Sequence, residues 1–253
     1  MASGEWNPTL RQLLRAALKI IVDAATMPFW RRKTFRYTSA DPNLRASIYY
    51  AKSGGLTPAV LLLPTAMGLT PHEHAMASRL AREGYTTLVI AYSKRTTGAV
   101  IKDDVRRENL EHIVLAGWRA LLADPMTDAG RAAVIGLSLG GYFATYLAAI
   151  GEERGPKAAV VYYGTYSLAQ THLTRLRVPL LILQGEKDDR DFVLNAEEAK
   201  EFASRNNAAC EVVLYPGAGH QFDLFEPGGA AARDAWERTI RFLRQHLGPA
   251  TPG

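Results

Sequence analysis

The stretch from Arg131 to Tyr142 constrains the fold of this chain more than any other. An apolar run ends at Gly136, Ser138 stands between two glycines, and a helix of small residues is predicted from Leu139. This is a G-x-S-x-G motif in a strand–turn–helix context, where a tight turn exposes the serine hydroxyl and glycines leave it room. The alternative is a glycine-rich turn in which Ser138 only caps the helix. The context favours a nucleophilic serine in an α/β fold.

Apolar runs and helical patterns alternate along the rest of the chain. Strands are predicted at 34–39, 44–52, 59–63, 86–91, 131–136, 158–163, 179–184 and 211–215. Helices are predicted at 9–25, 71–82, 103–123, 139–150, 168–176, 196–205 and 230–247. After a first antiparallel pair, this order indicates a mostly parallel sheet with helices on both faces. Ligands of such sheets bind beyond the carboxyl ends of the strands, so the loops at those ends should form one site.

A nucleophilic serine needs a base and a group that orients the base, and in this type of fold they follow in the order serine, acid, histidine. His220 lies in the loop after the last predicted strand, whereas His172 and His246 lie in predicted helices. We therefore predict His220 as the general base, against a purely structural loop histidine as the alternative. The acid should follow the preceding strand, where Asp188 fits best and Asp189 is its competitor.

An oxyanion hole requires two backbone N–H donors. One should come from Leu139, the residue after the serine, and the other from the loop after the first buried strand. That loop contains Thr65, Ala66, Met67 and Gly68. Gly68 lets the loop fold toward the serine, and Ala66 is the predicted second donor.

The positive charge of the chain is concentrated at its N-terminal end. Residues 1–37 contain seven basic and two acidic residues, which accounts for the whole net charge of +5. The remainder is neutral overall, so no nucleic-acid partner is expected for the main domain. The sequence predicts a basic arm at 1–33, a domain at 34–247 and a tail at 248–253.

Residues 9–25 of the arm form a predicted amphipathic helix. Its apolar residues recur at spacings of three and four, and Arg11, Arg15 and Lys19 form a separate row. The segment is too short and too charged to span a bilayer. We expect it to dock on the domain or on a second subunit, which includes a homodimer. A weak membrane-surface contact through residues 1–37, or an organelle-targeting arm, is the alternative.

Two further observations bear on cofactors and location. Cys210 is the one cysteine, so an intrachain disulfide is excluded, which agrees with a reducing compartment and a cytoplasmic location. His72 and His74 flank Glu73, but histidines two positions apart do not share a helix face. No metal ion and no other cofactor is expected.

With these residues in place, the sequence resembles the dienelactone hydrolase family of α/β-hydrolases across residues 44–247. The resemblance rests on several blocks that occur in the same order. These are residues 65–69, 80–85, 136–141, 163–164, 185–188 and 215–222. It implies a sheet of about eight strands and hydrolysis of small esters or lactones without a cofactor. It also implies a triad of Ser138, Asp188 and His220, with Ala66 and Leu139 as oxyanion donors.

The chain departs from the family pattern at three positions. Serine replaces the cysteine nucleophile at 138, Thr65 replaces a glutamate, and Asp223 stands in the segment where a substrate-binding arginine is expected. These departures argue against dienelactone itself as the substrate. Further substrate contacts are predicted from Arg95, which could take the place of that arginine, and from the loop residues Met67 and Tyr163.

The sequence therefore predicts a serine esterase or lactonase that acts on a small-molecule ester or lactone. A peptidase or a thioesterase on the same scaffold is an alternative, although no propeller domain or acyl-carrier site is evident. A catalytically silent hydrolase fold that serves as a binding module is the alternative from a different class.

Overall fold

The computed structural model describes residues 8–26, 32–37, 43–53, 55–92, 102–150, 155–164, 170–205 and 208–250. The strands are β1 Arg32–Phe35, β2 Ala46–Tyr49, β3 Thr57–Leu63, β4 Thr86–Ile90, β5 Thr127–Leu137, β6 Ala159–Tyr162, β7 Leu180–Gly185 and β8 Cys210–Tyr215. The helices are α1 Leu10–Thr26, α2 Pro71–Arg82, α3 Asp104–Leu122, α4 Leu139–Ala149, α5 Gln170–Leu173, α6 Arg190–Ser204, α7 Phe222–Phe225 and α8 Ala230–Leu247.

The eight strands form one sheet in the order β1-β2-β4-β3-β5-β6-β7-β8. β1 pairs antiparallel with β2, and β2 pairs antiparallel with β4. All other neighbouring strands are parallel. The prediction of a mostly parallel sheet of about eight strands is confirmed. The carboxyl ends of β5, β7 and β8, which precede the predicted catalytic residues, consequently lie at the same edge.

Helices cover both faces of the sheet, which explains why its central strands are buried throughout and mostly apolar. Every residue of β3, β4, β6 and β7 is buried. One core packs α3, α4 and α6 against the sheet, and the other packs α2 and α8 against the opposite face. Alternate residues of β5 serve the two cores, with Val134 in the first and Ile135 in the second. This double burial fixes the position and direction of β5, which ends at the turn that carries Ser138, called the elbow below.

Most helix bounds follow the sequence pattern, with two differences near the site. Helix α6 begins at Arg190, six residues before its predicted start, because the Asp189 carboxylate accepts a hydrogen bond from Asp191 N–H at 2.9 Å and caps it. Helix α7 was not predicted, because one short turn leaves no recognisable periodicity. The sequence also predicts a turn at 41–43 between the first two strands, and of these residues 41–42 lie outside the described residues.

Helix α1 packs on α2 and α7. Ala16 is buried, and the Gln12 amide donates to Glu226 Oε1 at 2.8 Å. The apolar stripe that includes Leu10 and Leu14 points to solvent. No helix among the described residues is long and apolar enough to cross a bilayer.

Candidate active site

Ser138 lies at the sharp turn between β5 and α4. Its backbone has φ 51° and ψ −115°, a left-handed conformation that residues with a side chain rarely adopt. The turn is held by hydrogen bonds from Ser138 N–H to Tyr162 O at 3.0 Å and from Gly141 N–H to Ser138 O at 2.8 Å. Strain of this kind persists only when the surrounding structure enforces it, and it commonly marks functional sites.

The structure brings together the three residues predicted as a triad. His220 Nε2 lies 3.0 Å from Ser138 Oγ, and His220 Nδ1 lies 2.8 Å from Asp188 Oδ2. An imidazole that donates its Nδ1–H to the carboxylate presents Nε2 as an acceptor for the serine hydroxyl. Asp189 instead uses its side chain to cap α6. The contact to His220 therefore falls to Asp188, the first of the two candidate acids.

The loops that carry the acid and the histidine are joined by backbone hydrogen bonds. Lys187 N–H donates to Ala218 O at 2.8 Å, and Glu186 N–H donates to Tyr215 O at 3.1 Å. The Phe192 ring packs 5.6 Å from the His220 ring, centroid to centroid. The separation between Asp188 and His220 is thus set by backbone pairing and packing as well as by their own hydrogen bond.

Gln184, which the sequence did not mark as a site residue, contacts the Asp188 carboxylate. It is fully buried, and its amide donates to Asp188 Oδ2 at 2.7 Å. Asp189 N–H donates to Asp188 Oδ1, also at 2.7 Å. The carboxylate therefore has a fixed donor on each oxygen besides His220. The sequence signal was a polar residue at the end of an otherwise apolar strand, where burial requires a hydrogen-bond partner.

Replacing Gln184 with methionine should lower kcat about tenfold and leave KM within about twofold. Methionine has a similar volume but donates nothing to Asp188, so the carboxylate would hold His220 less firmly. Steady-state kinetics on a chromogenic ester would measure both constants. Glu186→Gln is the matched control, because Glu186 is an exposed residue only two positions further along the chain. A KM effect of the same size as the kcat effect would contradict a positioning role.

Two amides of the loop after β3 are occupied by hydrogen bonds within the loop. Met67 N–H donates to Thr65 Oγ1 at 3.2 Å, and Gly68 N–H donates to Thr65 O at 3.0 Å. Among the described residues, the Ala66 N–H has no such acceptor. Leu139 N–H belongs to the first turn of α4, where amides have no partner within the helix. The two predicted oxyanion donors are thus amides left available by their local structure.

The three residues predicted to contact substrate lie in different settings. Met67 is half exposed, on the same loop as Ala66. Tyr163 is completely buried, with its ring edge-on to His220 at 5.3 Å between centroids. Tyr163 therefore packs against the histidine and does not face an open substrate pocket. Arg95 lies outside the described residues.

A buried ion pair lies behind Tyr163. His72 Nε2 lies 3.1 Å from Asp223 Oδ2, and the Tyr163 hydroxyl faces the same carboxylate. Burial favours the neutral form of each group, but the opposite charge of the partner outweighs it. The pKa of His72 is consequently raised and the pKa of Asp223 lowered. Asp223 is therefore held in a buried ion pair with His72. It occupies the segment where the family resemblance predicts a substrate-binding arginine.

Comparison with known proteins identifies the family of this chain. The model of the dienelactone hydrolase family matches residues 44–247. A Salmonella typhimurium protein named "Putative carboxymethylenebutenolidase" is 29% identical over 231 residues, which cover 79% of this chain and 83% of the relative. A Bradyrhizobium protein named "Probable 2-oxo-3-(5-oxofuran-2-ylidene)propanoate lactonase" is 25% identical over 222 residues, 76% of this chain and 86% of the relative.

Solved structures show the same fold. The carboxylesterase EstE1, cloned from a metagenomic library, superimposes with a TM-score of 0.72 at 17% identity, covering 95% of this chain and 99% of that protein. At this identity the likeness shows the α/β-hydrolase fold alone. The family match and the sequence relatives show in addition that this chain is a hydrolase.

Proposed function

Because the chain belongs to the dienelactone hydrolase family, a family of ester and lactone hydrolases, we propose that it cleaves such bonds through an acyl-enzyme on Ser138. The observation that carries this proposal is the hydrogen-bonded series from Asp188 through His220 to Ser138, with distances of 2.8 and 3.0 Å. A serine hydroxyl is a weak nucleophile unless a base is this close.

In the first half-reaction, His220 Nε2 takes the Ser138 hydroxyl proton as Oγ bonds to the substrate carbonyl carbon. The carbonyl π electrons move onto oxygen, and the resulting oxyanion accepts hydrogen bonds from the Ala66 and Leu139 amides. The C–O bond to the leaving oxygen then breaks as His220 returns the proton to that oxygen. An ester releases its alcohol, whereas an opened lactone keeps its new hydroxyl on the acyl group.

In the second half-reaction, His220 takes a proton from water as the hydroxide oxygen bonds to the acyl carbon. The C–O bond to Ser138 then breaks and Oγ recovers the proton, so that the acid is released and the resting enzyme is restored. Asp188 keeps the Nδ1–H of His220 oriented and stabilises the imidazolium that forms in both halves. A serine nucleophile suits this scheme. Its hydroxyl becomes alkoxide-like only when a base in contact with it, here His220, removes the proton.

The test is labelling with a fluorophosphonate probe, followed by location of the adduct by peptide mass. We expect an adduct on Ser138 in the native chain and none in the His220→Ala variant. His246→Ala is the matched control, because His246 lies near the end of α8, away from this site, and should leave labelling unchanged. Folded protein that does not label would contradict the proposal and favour a silent binding module.

A substrate panel then defines the bond that is cleaved. It contains an aryl acetate, a five-membered lactone, an acyl thioester and a peptide anilide. We expect turnover of the ester and the lactone above that of the other two. Faster cleavage of the anilide or the thioester would replace the esterase proposal with a peptidase or thioesterase while keeping the serine mechanism.

A further inference from the structure

Helix α1 exposes the more apolar of its two faces. Six apolar side chains on it are between 47% and 74% exposed, namely Leu10, Leu13, Leu14, Leu18, Ile21 and Val22. Leu10, Leu14, Leu18 and Ile21 recur at spacings of four and three, so they form a continuous stripe along the helix. Single apolar side chains are common on protein surfaces, but a continuous exposed stripe of them marks an interaction surface.

The orientation of α1 is fixed by contacts on its opposite side. Gln12 is hydrogen-bonded to Glu226, Ala16 is buried, and Lys19 lines a cavity of about 140 Å³ together with His72 and Asp223. These groups occupy the face of α1 that lies on α2 and α7. The domain therefore holds the polar side of the helix and turns the leucine stripe outward.

The charges beside the stripe indicate which kind of partner binds to it. Arg11 and Arg15 are exposed, each lies one position after a leucine of the stripe, and among the described residues neither forms an ion pair. The first turn of α1 contains no acidic residue. A second copy of this helix would bring a like-charged arginine row beside Arg11 and Arg15, and its first turn offers no acidic residue to offset that repulsion. Lipid headgroups with negative charge would instead pair with the arginines while the leucines enter the acyl boundary.

We propose that α1 is an interfacial helix that binds the enzyme to the surface of an anionic lipid bilayer. The helix would lie in the plane of the membrane, with Leu14 and Ile21 near the middle of the inserted face and Arg11 and Arg15 at headgroup level. This surface is separate from the Ser138 site, so the proposal does not depend on the proposed catalytic mechanism.

The experiment is co-sedimentation of the full chain with vesicles of phosphatidylcholine alone and of equal parts phosphatidylcholine and phosphatidylglycerol. We expect binding to the mixed vesicles, reduced by added salt, and much weaker binding to phosphatidylcholine. The variant Leu14→Gln/Ile21→Gln, which keeps the net charge, should lower the partition coefficient roughly tenfold per side chain. Arg11→Gln and Arg15→Gln should each lower it roughly fivefold.

Val105→Gln is the matched control, because Val105 is 70% exposed on a different helix, α3. It should bind the mixed vesicles like the native chain, and all variants should hydrolyse a water-soluble ester at the native rate. The proposal is overturned if no vesicle binds the chain, if neutral and anionic vesicles bind it equally, or if the Leu14→Gln/Ile21→Gln variant binds unchanged. A dimer in sedimentation velocity that this variant dissociates, without vesicle binding, would assign the face to a second copy.

Discussion

Replacing Ser138 with alanine should lower kcat/KM for a chromogenic ester by about 10⁴- to 10⁶-fold, the range seen when a triad nucleophile is removed. The hydroxyl is the group that His220 contacts at 3.0 Å, and alanine offers no atom to attack the carbonyl. The free energy of unfolding should change by less than about 1 kcal/mol, because the turn is held by the Ser138 backbone rather than by its side chain. Initial rates and urea unfolding would measure the two quantities.

Ser78→Ala is the matched control for this loss. Ser78 is buried to the same degree as Ser138, at 4% and 5% exposure, but lies on α2, and its hydroxyl has no partner among the described residues. Its removal should leave kcat/KM within about twofold. If Ser138→Ala retained a tenth of the native activity while folded, the acyl-enzyme route would be wrong and water would have to attack the substrate directly.

The features that could be predicted from the sequence are those encoded by nearby residues. The elbow is one, because a strand, a serine between glycines and a helix are contiguous and require the same turn. Helix α2 is another, and its bounds, Pro71–Arg82, match the prediction. Thr70 and Glu73 form a capping box at its start, in which Thr70 N–H donates to Glu73 Oε2 at 2.8 Å.

The choice among acids could not be settled from the sequence. Asp188 and Asp189 are adjacent in a charged loop, and their side chains leave the chain in different directions. The structure separates them because α6 begins early and takes Asp189 as its cap, which leaves Asp188 facing His220. The helical pattern predicts a start at residue 196, downstream of Asp189, and therefore does not identify Asp189 as the cap.

Contacts between distant segments were also beyond prediction. His72 and Asp223 belong to α2 and α7, and no local pattern reports their pairing. The orientation of α1 is a second case. A hydrophobic stripe shows that a helix has two faces, but not which of them the domain holds. Here the hydrogen bond from Gln12, the small side chain of Ala16 and the position of Lys19 beside the His72–Asp223 pair decide the answer.

The elbow also makes a strong prediction about stability. Gly136→Ala should lower the free energy of unfolding by about 3 kcal/mol or more, enough to leave much of the protein insoluble. A Cβ on Gly136 would lie 2.1 Å from the carbonyl oxygen of Gly140 and 2.6 Å from the amide nitrogen of Gly141. Both obstacles are backbone atoms, so no side chain can rotate away. The first turn of α4 would have to move.

Because Ser138 lies between Gly136 and that turn, the same displacement should reduce the activity of the folded fraction. A shift of about 1 Å in a reacting group costs on the order of 10²-fold. Gly55→Ala is the matched control, since a Cβ there meets nothing within 4 Å, and it should change the unfolding free energy by less than about 0.5 kcal/mol. Urea unfolding and initial rates on all three proteins give the comparison. A Gly136→Ala protein as stable and active as the Gly55→Ala control would mean that the β5–α4 turn is looser than described, and the strained serine geometry could then no longer be attributed to close backbone packing.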